Sequence, residues 1–173
     1  MNKFYRLFRY DWPMHFVLLF TNWLPDNILF LRLRGILAKH FFKKCGKNLL
    51  IGRNNVFYAS YDISIGDNVY IAYGNWFNGS GGISIGDEVI FGPKSIIVTS
   101  NHTLKEGSFR YGAPIIKPIV IGKGTWIGGN CSILAGVIIG SCSVIGSNSV
   151  VNKNIPDNVL AAGNPAEIKK KIK

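Results

Sequence analysis

The most constraining feature of this chain is a strict six-residue interval between aliphatic residues in its C-terminal part. The residues that keep the interval are Ile121, Ile127, Ile133, Ile139, Ile145 and Val151. An amphipathic helix repeats its apolar face about every 3.6 residues and a half-buried strand about every two, so neither accounts for this spacing. A repeat of six with small and polar residues between the aliphatic ones predicts a parallel β-helix, in which each hexad supplies one short strand and one corner.

The repeat also predicts which side chains fill the interior. Three hexads make one coil of eighteen residues, so aliphatic residues eighteen apart should stack on one another. The predicted pairs are Ile121 with Ile139, Ile127 with Ile145, and Ile133 with Val151. Small residues occupy the fifth position of successive hexads and suit a narrow interior: Thr125, Cys131, Val137, Ser143 and Ser149. Because side chains fill the interior, we expect ligands only on outer faces, at corners or between subunits.

The earlier part of the repeat is less regular. The dipeptides Ile51-Gly52, Ile65-Gly66 and Ile85-Gly86 open coils at intervals of fourteen and twenty residues, two more than whole hexads require, which predicts two-residue insertions at corners. Residues 103–118 carry no repeat but contain several glycines and prolines. A long irregular loop within a compact domain is more often functional than idle, so we expect residues 103–118 to protrude and to contribute to function.

The N-terminal segment, residues 1–46, differs from the rest because it is rich in aromatic and basic residues. Asp26-Asn27 predicts the cap of a helix from Ile28 to about Lys44, ended by Gly46. One helical face of it would carry Leu29, Arg32, Leu33, Ile36, Leu37 and His40. One interpretation is that the segment packs as a cap on the end of the β-helix or on a neighbouring subunit. The other is that residues 1–24 contact a membrane surface, and the two interpretations are compatible. The predicted order is therefore this segment, a β-helix over 47–160 and a basic tail over 161–173.

Composition narrows the classes of partner and compartment. At 173 residues one main domain is expected, and the net charge of +11 suits anionic partners. We expect no nucleic acid partner, because the bases gather at the two ends and no recognised motif is present. Three cysteines without a CxxC pair argue against a disulfide framework and favour a reducing cytoplasm. The uncharged stretch between Asp11 and Asp26 is too short for a membrane span, and we expect no signal peptide.

Three motifs carry a family resemblance. They are the segment 124–140, which begins Gly-Thr-Trp-Ile-Gly-Gly, then Asn152-Lys153-Asn154-Ile155-Pro156, and Gly163-Asn164-Pro165-Ala166. With them the chain resembles the hexapeptide-repeat acyltransferases from about residue 46 to its end, above all the galactoside and maltose acetyltransferases and the O-acetyltransferases of bacterial surface polysaccharides. The resemblance implies a left-handed parallel β-helix, a homotrimer with active sites between adjacent subunits, acetyl-CoA as co-substrate and no metal.

One histidine is the candidate catalytic residue. Of His15, His40 and His102, only His102 lies in the repeat region, at the corner where the long loop departs. The family places its catalytic histidine at this corner, so the resemblance implies that His102 is the general base. A neutral imidazole accepts a hydroxyl proton near neutral pH. We expect direct attack of the acceptor on the thioester in a ternary complex, with a backbone N–H stabilising the oxyanion. Cys131 and Cys142 have no histidine nearby in sequence and are not expected to act as nucleophiles.

The resemblance also implies the binding residues. Asn78 matches a position that holds the acetyl donor or acceptor, although an asparagine before Gly79 also suits a turn. The positions that match coenzyme A contacts are Trp126, Gly129, Ser147, Asn152, Lys153 and Lys170. Glu167 departs from relatives that have arginine there. Either Asp62 or Glu106 would orient the acceptor or His102, and the sequence does not choose between them.

These features together predict an O-acetyltransferase that uses acetyl-CoA to acetylate a sugar hydroxyl, in the biosynthesis of a capsule, O-antigen or exopolysaccharide. A streptogramin-type antibiotic O-acetyltransferase shares the same corner histidine and is the alternative enzyme. A non-catalytic β-helix scaffold is the alternative of a different class. A zinc-dependent carbonic anhydrase of this fold needs three histidines for each metal, and the repeat region has one.

Overall fold

The chain forms a three-sided prism with helices at one end. The computed structural model describes residues 2–172. The prism is a left-handed parallel β-helix of about six turns, as predicted, and its faces are three parallel sheets. Sheet 1 contains Lys44–Cys45, Ile63–Ile65, Ile83–Ile85, Ile119–Ile121 and Ile138–Ile139. Sheet 2 contains Leu50–Ile51, Tyr70–Ile71, Ile90–Phe91, Trp126–Ile127, Val144–Ile145 and Val159–Ala162, with Glu167–Lys171 antiparallel to the last of these. Sheet 3 contains Val56–Tyr58, Trp76–Asn78, Ile96–Val98, Ser132–Ile133 and Val150–Val151.

The chain turns three corners in each coil. Equivalent corners of successive coils stack and form the three edges of the prism. Edge A joins sheet 1 to sheet 2, edge B joins sheet 2 to sheet 3, and edge C joins sheet 3 back to sheet 1. In one regular coil these edges are residues 122–125, 128–131 and 134–137 respectively.

The interior of the prism follows the predicted stacking. Ile121 pairs with Ile139, Ile127 with Ile145, and Ile133 with Val151, and all six side chains are buried. The five small residues in the fifth hexad position are buried as well. Each fully buried aliphatic side chain contributes about 1.5–3 kcal/mol of transfer free energy. The interior is therefore filled by side chains, as the repeat predicts.

The predicted two-residue insertions lie at edge C. In the first coils Ile51, Phe57 and Ile65 pair with the residues twenty positions later. The step from Ile51 to Phe57 is six residues, whereas the step from Phe57 to Ile65 is eight. These larger coils accommodate a row of phenylalanines, in which Phe57 lies 5.0 Å from Phe77, and Phe77 lies 5.2 Å from Phe91.

Edge C is also where the long loop leaves the prism, as predicted. Strand Ser100–Asn101 pairs antiparallel with Ile115–Ile116 and forms the base of a hairpin. Within the loop, Lys105 and Ser108 form a bridge, and Thr103 Oγ1 donates to the carbonyl of Ala113. Three large side chains of the loop are exposed: Leu104, Phe109 and Tyr111.

The N-terminal segment forms helices that pack on the first coil. They are α1 (Lys3–Arg6), α2 (Trp12–Thr21) and α3 (Ile28–Ala38), with a π-helical turn at Leu7–Asp11 and a 3₁₀ turn at Lys39–Phe41. Met14 and Leu18 of α2 join the same hydrophobic cluster as Ile51 and Phe57. Within residues 2–172 no helix combines the length and the apolar character needed to cross a bilayer.

The start of α3 agrees with the prediction, but its end does not. The side chain of Asn27 accepts a hydrogen bond from the amide of Phe30, which is the expected cap. The helix ends at Ala38 rather than near Lys44, because Phe42 adopts an extended conformation and packs 5.1 Å from Phe57. Lys43 then donates its amide to Ile63 and begins sheet 1. Strand formation therefore ends the helix before Gly46 is reached.

The helical face that the spacing of large residues defines is not the face that α3 buries. The helix buries Leu31, Arg34, Gly35 and Ala38, whereas Leu29, Ile36 and Leu37 are exposed. Small residues form the contact because the helix crosses the first coil closely: a Cβ on Gly35 would overlap the carbonyl oxygen of Leu49.

Arg34 is fully buried and joins three parts of the chain. Its guanidinium donates to Asp26 at 2.8 Å, to the carbonyl of Ile51 at 3.1 Å and to the carbonyl of Thr21 at 3.2 Å. A buried charge is tolerated only when it is paired and hydrogen-bonded. This arginine thus fixes the α2–α3 connection on the first coil.

Candidate active site

His102 lies at edge C, on the exposed side of the hairpin base. It follows strand Ser100–Asn101 directly, and the pairing of Asn101 with Ile115 defines the path of the chain into the loop. Just before the strand, Thr99 Oγ1 donates to the carbonyl of Asn78 at 2.7 Å and accepts from the amide of Gly81 at 2.8 Å. The imidazole itself is exposed to solvent. The backbone that leads to it is held in place by the hydrogen bonds of Thr99 to the preceding coil.

Asn78 contacts the strand that leads to His102. Its Nδ2 donates to the Ser100 hydroxyl at 3.1 Å, while its Oδ1 accepts from the Ser80 amide at 3.1 Å and from the Ser80 hydroxyl at 2.6 Å. The bond to the Ser80 amide is the turn expected of an asparagine before Gly79. The contact with Ser100 places Asn78 within the same corner as the histidine. Binding of substrate by Asn78 stays a prediction.

One glycine allows the hairpin to pack against the coil before it, and a second allows that coil to pack closely on the coil that contains Ala59. A Cβ on Gly81 would lie 2.6 Å from a methyl group of Ile116 and 3.1 Å from Thr99 Cβ, and one on Gly79 would lie 2.8 Å from the carbonyl of Ala59. A larger residue at Gly81 would push the hairpin away from the prism, whereas one at Gly79 would push its own corner away from Ala59. The sequence prediction did not identify Ser80, Gly81, Thr99 or Ser100, whose roles depend on the twenty-residue register of this coil. The Asn-Gly-Ser-Gly-Gly run after Phe77 is the one local signal of a tight corner.

The two candidate carboxylates have different surroundings. Asp62 lies at edge C and accepts a hydrogen bond from Lys43 Nζ at 3.3 Å, forming an exposed ion pair. Glu106 lies in the turn between Lys105 and Ser108 on the exposed loop. The choice between them as the group that orients His102 or the acceptor stays open.

The predicted coenzyme A residues fall at two different edges. Gly129 and Ser147 lie together at edge B, where the Gly129 amide donates to the Ser147 hydroxyl at 3.2 Å. Trp126 projects from the neighbouring sheet 2 and is 51% exposed. Asn152 and Lys153 lie at edge C, and both are exposed.

The pairing of strands in sheet 3 gives the distance along the prism between His102 and the predicted binding residues Asn152 and Lys153. Ile97 pairs with Ile133, which pairs with Val151, so Asn152 lies two coils beyond the coil that leads to His102. At about 4.8 Å between strands this is about 10 Å along the prism. Lys170 lies elsewhere, on the antiparallel strand Glu167–Lys171, paired with Leu160 of sheet 2.

Sheet 3 separates the two groups of predicted residues. His102, Asn78, Asn152 and Lys153 share edge C, whereas Gly129 and Ser147 lie on edge B. One chain therefore does not bring the full predicted set together. The outer face of sheet 3 between the edges carries exposed apolar side chains from successive coils: Val56, Tyr58, Trp76 and Ile96.

The three cysteines differ in burial: Cys131 is buried, Cys45 is partly buried and Cys142 is exposed. Cys131 is buried as predicted, and burial raises the pKa of its thiol. Burial likewise raises the pKa of Cys45 to about 11, so this thiol is neutral near pH 7. Cys142 is exposed at edge A, away from His102. Residues 2–172 contain no group of three or more His, Cys, Asp or Glu side chains placed to hold a metal ion.

Comparisons with known proteins agree with this architecture. Residues 118–153 match the family model described as bacterial transferase hexapeptide (six repeats). The galactoside O-acetyltransferase of Lactococcus lactis is 35% identical over 139 residues, which are 79% of this chain and 66% of that protein. The chain thus spans somewhat less than two thirds of that relative's length.

Two solved structures extend the comparison over almost the whole chain. A hexapeptide-repeat acetyltransferase of Vibrio cholerae, solved in complex with acetyl coenzyme A, is 32% identical with a TM-score of 0.82, and the match covers 93% of this chain and 86% of that one. A galactoside acetyltransferase in complex with coenzyme A is 28% identical with a TM-score of 0.85, covering 100% and 84%.

Proposed function

Because the chain belongs to the hexapeptide-repeat acetyltransferase family, we propose that it transfers an acetyl group from acetyl-CoA to a sugar hydroxyl. The observation that carries the proposal is the exposed His102 at edge C, on a backbone held by Thr99 and Asn78. Acetyl-CoA and coenzyme A are bound by the Vibrio cholerae and galactoside acetyltransferases respectively. Here Trp126, Gly129, Ser147, Asn152, Lys153 and Lys170 are the residues proposed to hold the carrier.

In the proposed mechanism, His102 acts as general base and then as general acid. The imidazole takes the proton of the acceptor hydroxyl while its oxygen attacks the thioester carbon, so that a C–O bond forms. A backbone N–H stabilises the oxyanion of the tetrahedral intermediate. When the intermediate collapses, the C–S bond breaks and the departing thiolate takes the proton from His102. No covalent enzyme intermediate is needed, so both substrates are bound together in a ternary complex.

The separation of the two edges supports a homotrimer as the functional unit. Edge B of one copy placed beside edge C of the next would bring Gly129 and Ser147 towards His102. Such a contact joins two different surfaces, and it forms a closed ring when the rotation between copies allows. The apolar side chains on sheet 3 lie between these edges and would be covered in a threefold arrangement.

The acceptor is proposed to be a sugar on a surface-polysaccharide precursor. The family includes galactoside and maltose O-acetyltransferases, and the exposed ring of Tyr111, on the loop that leaves edge C, offers a flat surface to a sugar. A streptogramin-type antibiotic is the second candidate acceptor, because the same histidine-bearing corner suits any hydroxyl.

The N-terminal segment is proposed to contact the cytoplasmic face of a membrane. Phe4, Phe8, Trp12, Phe16 and Phe20 recur every four residues and are exposed; we call them the aromatic stripe. Residues 1–24 contain Lys3, Arg6 and Arg9 against Asp11, a balance that suits anionic lipid. Aromatic side chains with flanking bases are typical of helices that lie in the membrane interface. This contact would keep the enzyme near lipid-linked sugars in the cytoplasm, where acetyl-CoA is available.

The test of the enzymatic proposal is acetyl-CoA turnover with different acceptors. Thiol release is measured with galactosides, maltose, lipid-linked glycans and a streptogramin. Turnover with a sugar or glycan supports the proposal, and turnover only with the antibiotic replaces the acceptor. If no acyl-CoA is consumed with any acceptor, the scaffold hypothesis is favoured instead.

A further inference from the structure

A concave site lies between α3 and edge A of the first coils, on a different edge from His102. The cavity has a volume of about 760 Å³. One wall comes from α3 and the turn after it, and the other comes from residues 45–49 and Asp67. Four basic side chains line it, and we call this site the basic pocket: Arg32, Lys39, His40 and Lys47.

The charge of the basic pocket is not balanced by carboxylates. The ion pairs found among residues 2–172 involve Arg34, Lys43, Arg53, Lys123 and Lys169, and thus none of the three permanent cations of the pocket. Asp67 is the one acidic residue of the lining, and its Oδ1 already accepts the Lys47 amide at 2.6 Å. Cations that converge on a concave surface focus a positive field and attract anions.

The walls of the pocket are held by close backbone contacts. Gly35 lets α3 cross Leu49 closely, and a Cβ on Gly46 would lie 2.6 Å from the carbonyl carbon of Gly66. Cys45 also lines the pocket, and its raised pKa keeps the thiol neutral, so that it adds no negative charge. The cations are therefore carried by a rigid frame rather than by a loose terminus.

The basic pocket is separate from the residues proposed to hold acetyl-CoA. Along sheet 2, five register steps lead from Leu50 beside the pocket to Leu160, the partner of Lys170. Five steps of about 4.8 Å amount to about 24 Å, and the three steps to Trp126 amount to about 14 Å. The pocket also lies on edge A, which the proposed trimer leaves free, so it would remain open to solvent when edges B and C are covered.

We propose that the basic pocket binds a phosphate or diphosphate group. Arginine offers a fork of donors that matches two phosphate oxygens, and the lysines act as point charges beside it. The phosphate comes either from the headgroup of an anionic phospholipid or from a soluble phosphorylated ligand. This inference does not depend on the acetyl transfer at edge C.

The first arm of the test uses inorganic pyrophosphate and the full chain. Calorimetric titration at low ionic strength should show saturable binding to the unmodified protein. The double variant Arg32→Gln/Lys39→Gln should bind at least about tenfold more weakly, because two charge-assisted contacts are lost. The control Lys123→Gln/Lys171→Gln removes the same charge from exposed positions outside the pocket and should keep the affinity. Lys47→Gln repeats the test outside α3, and thermal unfolding checks that each variant folds.

The second arm distinguishes the two sources of phosphate. Vesicles of phosphatidylcholine, with and without phosphatidylglycerol, are mixed with the same proteins and sedimented. If the phosphate belongs to a lipid headgroup, the pocket variant should lose binding to the anionic vesicles and the control variant should keep it. If the ligand is soluble, the pocket variant should lose pyrophosphate binding while its vesicle binding is unchanged. The proposal is overturned when the unmodified protein binds neither probe, or when the pocket variant and the control variant behave alike with both.

Discussion

The side-chain amide of Asn78 donates a 3.1 Å hydrogen bond to the hydroxyl of Ser100 and so links one coil to the strand that leads to His102. The two residues are twenty-two positions apart, and they meet because Asn78 ends one strand of sheet 3 and Ser100 follows the end of the next strand at edge C. Asn78 therefore has two possible effects on catalysis, one through Ser100 and one through direct contact with a substrate. The two effects can be separated by mutation.

We expect Asn78→Ala to lower kcat/KM more than Ser100→Ala does. Loss of the Ser100 contact alone removes one hydrogen bond, about 0.5–1.5 kcal/mol, which corresponds to a factor of about 2 to 13. Loss of a substrate contact in the first variant would add to this. Steady-state kinetics with acetyl-CoA and the acceptor measures both. Equal losses in the two variants would assign Asn78 a positioning role only.

Replacement of His102 by alanine should lower kcat by about 10²–10⁴, the usual contribution of a positioned general base. The side chain is exposed, so the variant should unfold at nearly the same temperature, and its affinity for acetyl-CoA should change little. The control is His15→Gln, which alters another exposed histidine, on helix α2 outside the repeat region. A His102→Ala protein that retains full turnover would contradict the proposed mechanism.

The repeat made the β-helix and its core predictable, because a six-residue period sets both the strand positions and the eighteen-residue register. Ile121 stacks on Ile139 for this reason alone. The contact face of α3 was not predictable in the same way. Hydrophobic periodicity gives most weight to large residues such as Ile36, whereas close helix crossing needs the small Gly35 and Ala38.

The candidate site was predictable in part. The corner position of His102 follows from the repeat and the family resemblance. The hydrogen bonds of Thr99 and Ser100 do not, because they depend on how the two-residue insertions at edge C shift the coils. The division of Gly129 and Asn152 between two edges, in contrast, follows from the eighteen-residue register, because Ile127 and Val151 begin hexads on different sheets.

The buried Arg34 makes a prediction about stability. Asp26→Asn removes the charge that faces the guanidinium but keeps the size of the side chain, so it should lower the free energy of unfolding by about 1.5–3 kcal/mol. Urea denaturation followed by circular dichroism measures the change. Glu106→Gln removes an acidic charge from the exposed loop and should leave stability unchanged. Equal stabilities for the two variants would show that the Arg34–Asp26 pair contributes little.

The aromatic stripe predicts binding to membranes. Phe16→Ser/Phe20→Ser removes two exposed rings that lie 6.1 Å apart and should reduce flotation with phosphatidylglycerol vesicles several-fold. Ile168→Ser alters an exposed apolar residue on the C-terminal strand and should have no effect. Flotation that is the same for all three proteins would indicate that a neighbouring subunit, rather than lipid, covers the stripe.

The arrangement of edges B and C predicts that activity depends on assembly. Ile96 is 45% exposed on sheet 3, and Ile138 is 50% exposed on sheet 1, so they form a matched pair of surface positions. Ile96→Glu would place a charge in the proposed threefold contact, whereas Ile138→Glu would not. Light scattering after gel filtration should show a trimer for the unmodified protein and for Ile138→Glu, and smaller species for Ile96→Glu. Turnover should fall together with the trimer, because Gly129 and His102 would then no longer meet across copies. If Ile96→Glu remained trimeric and fully active, sheet 3 would not be the contact surface.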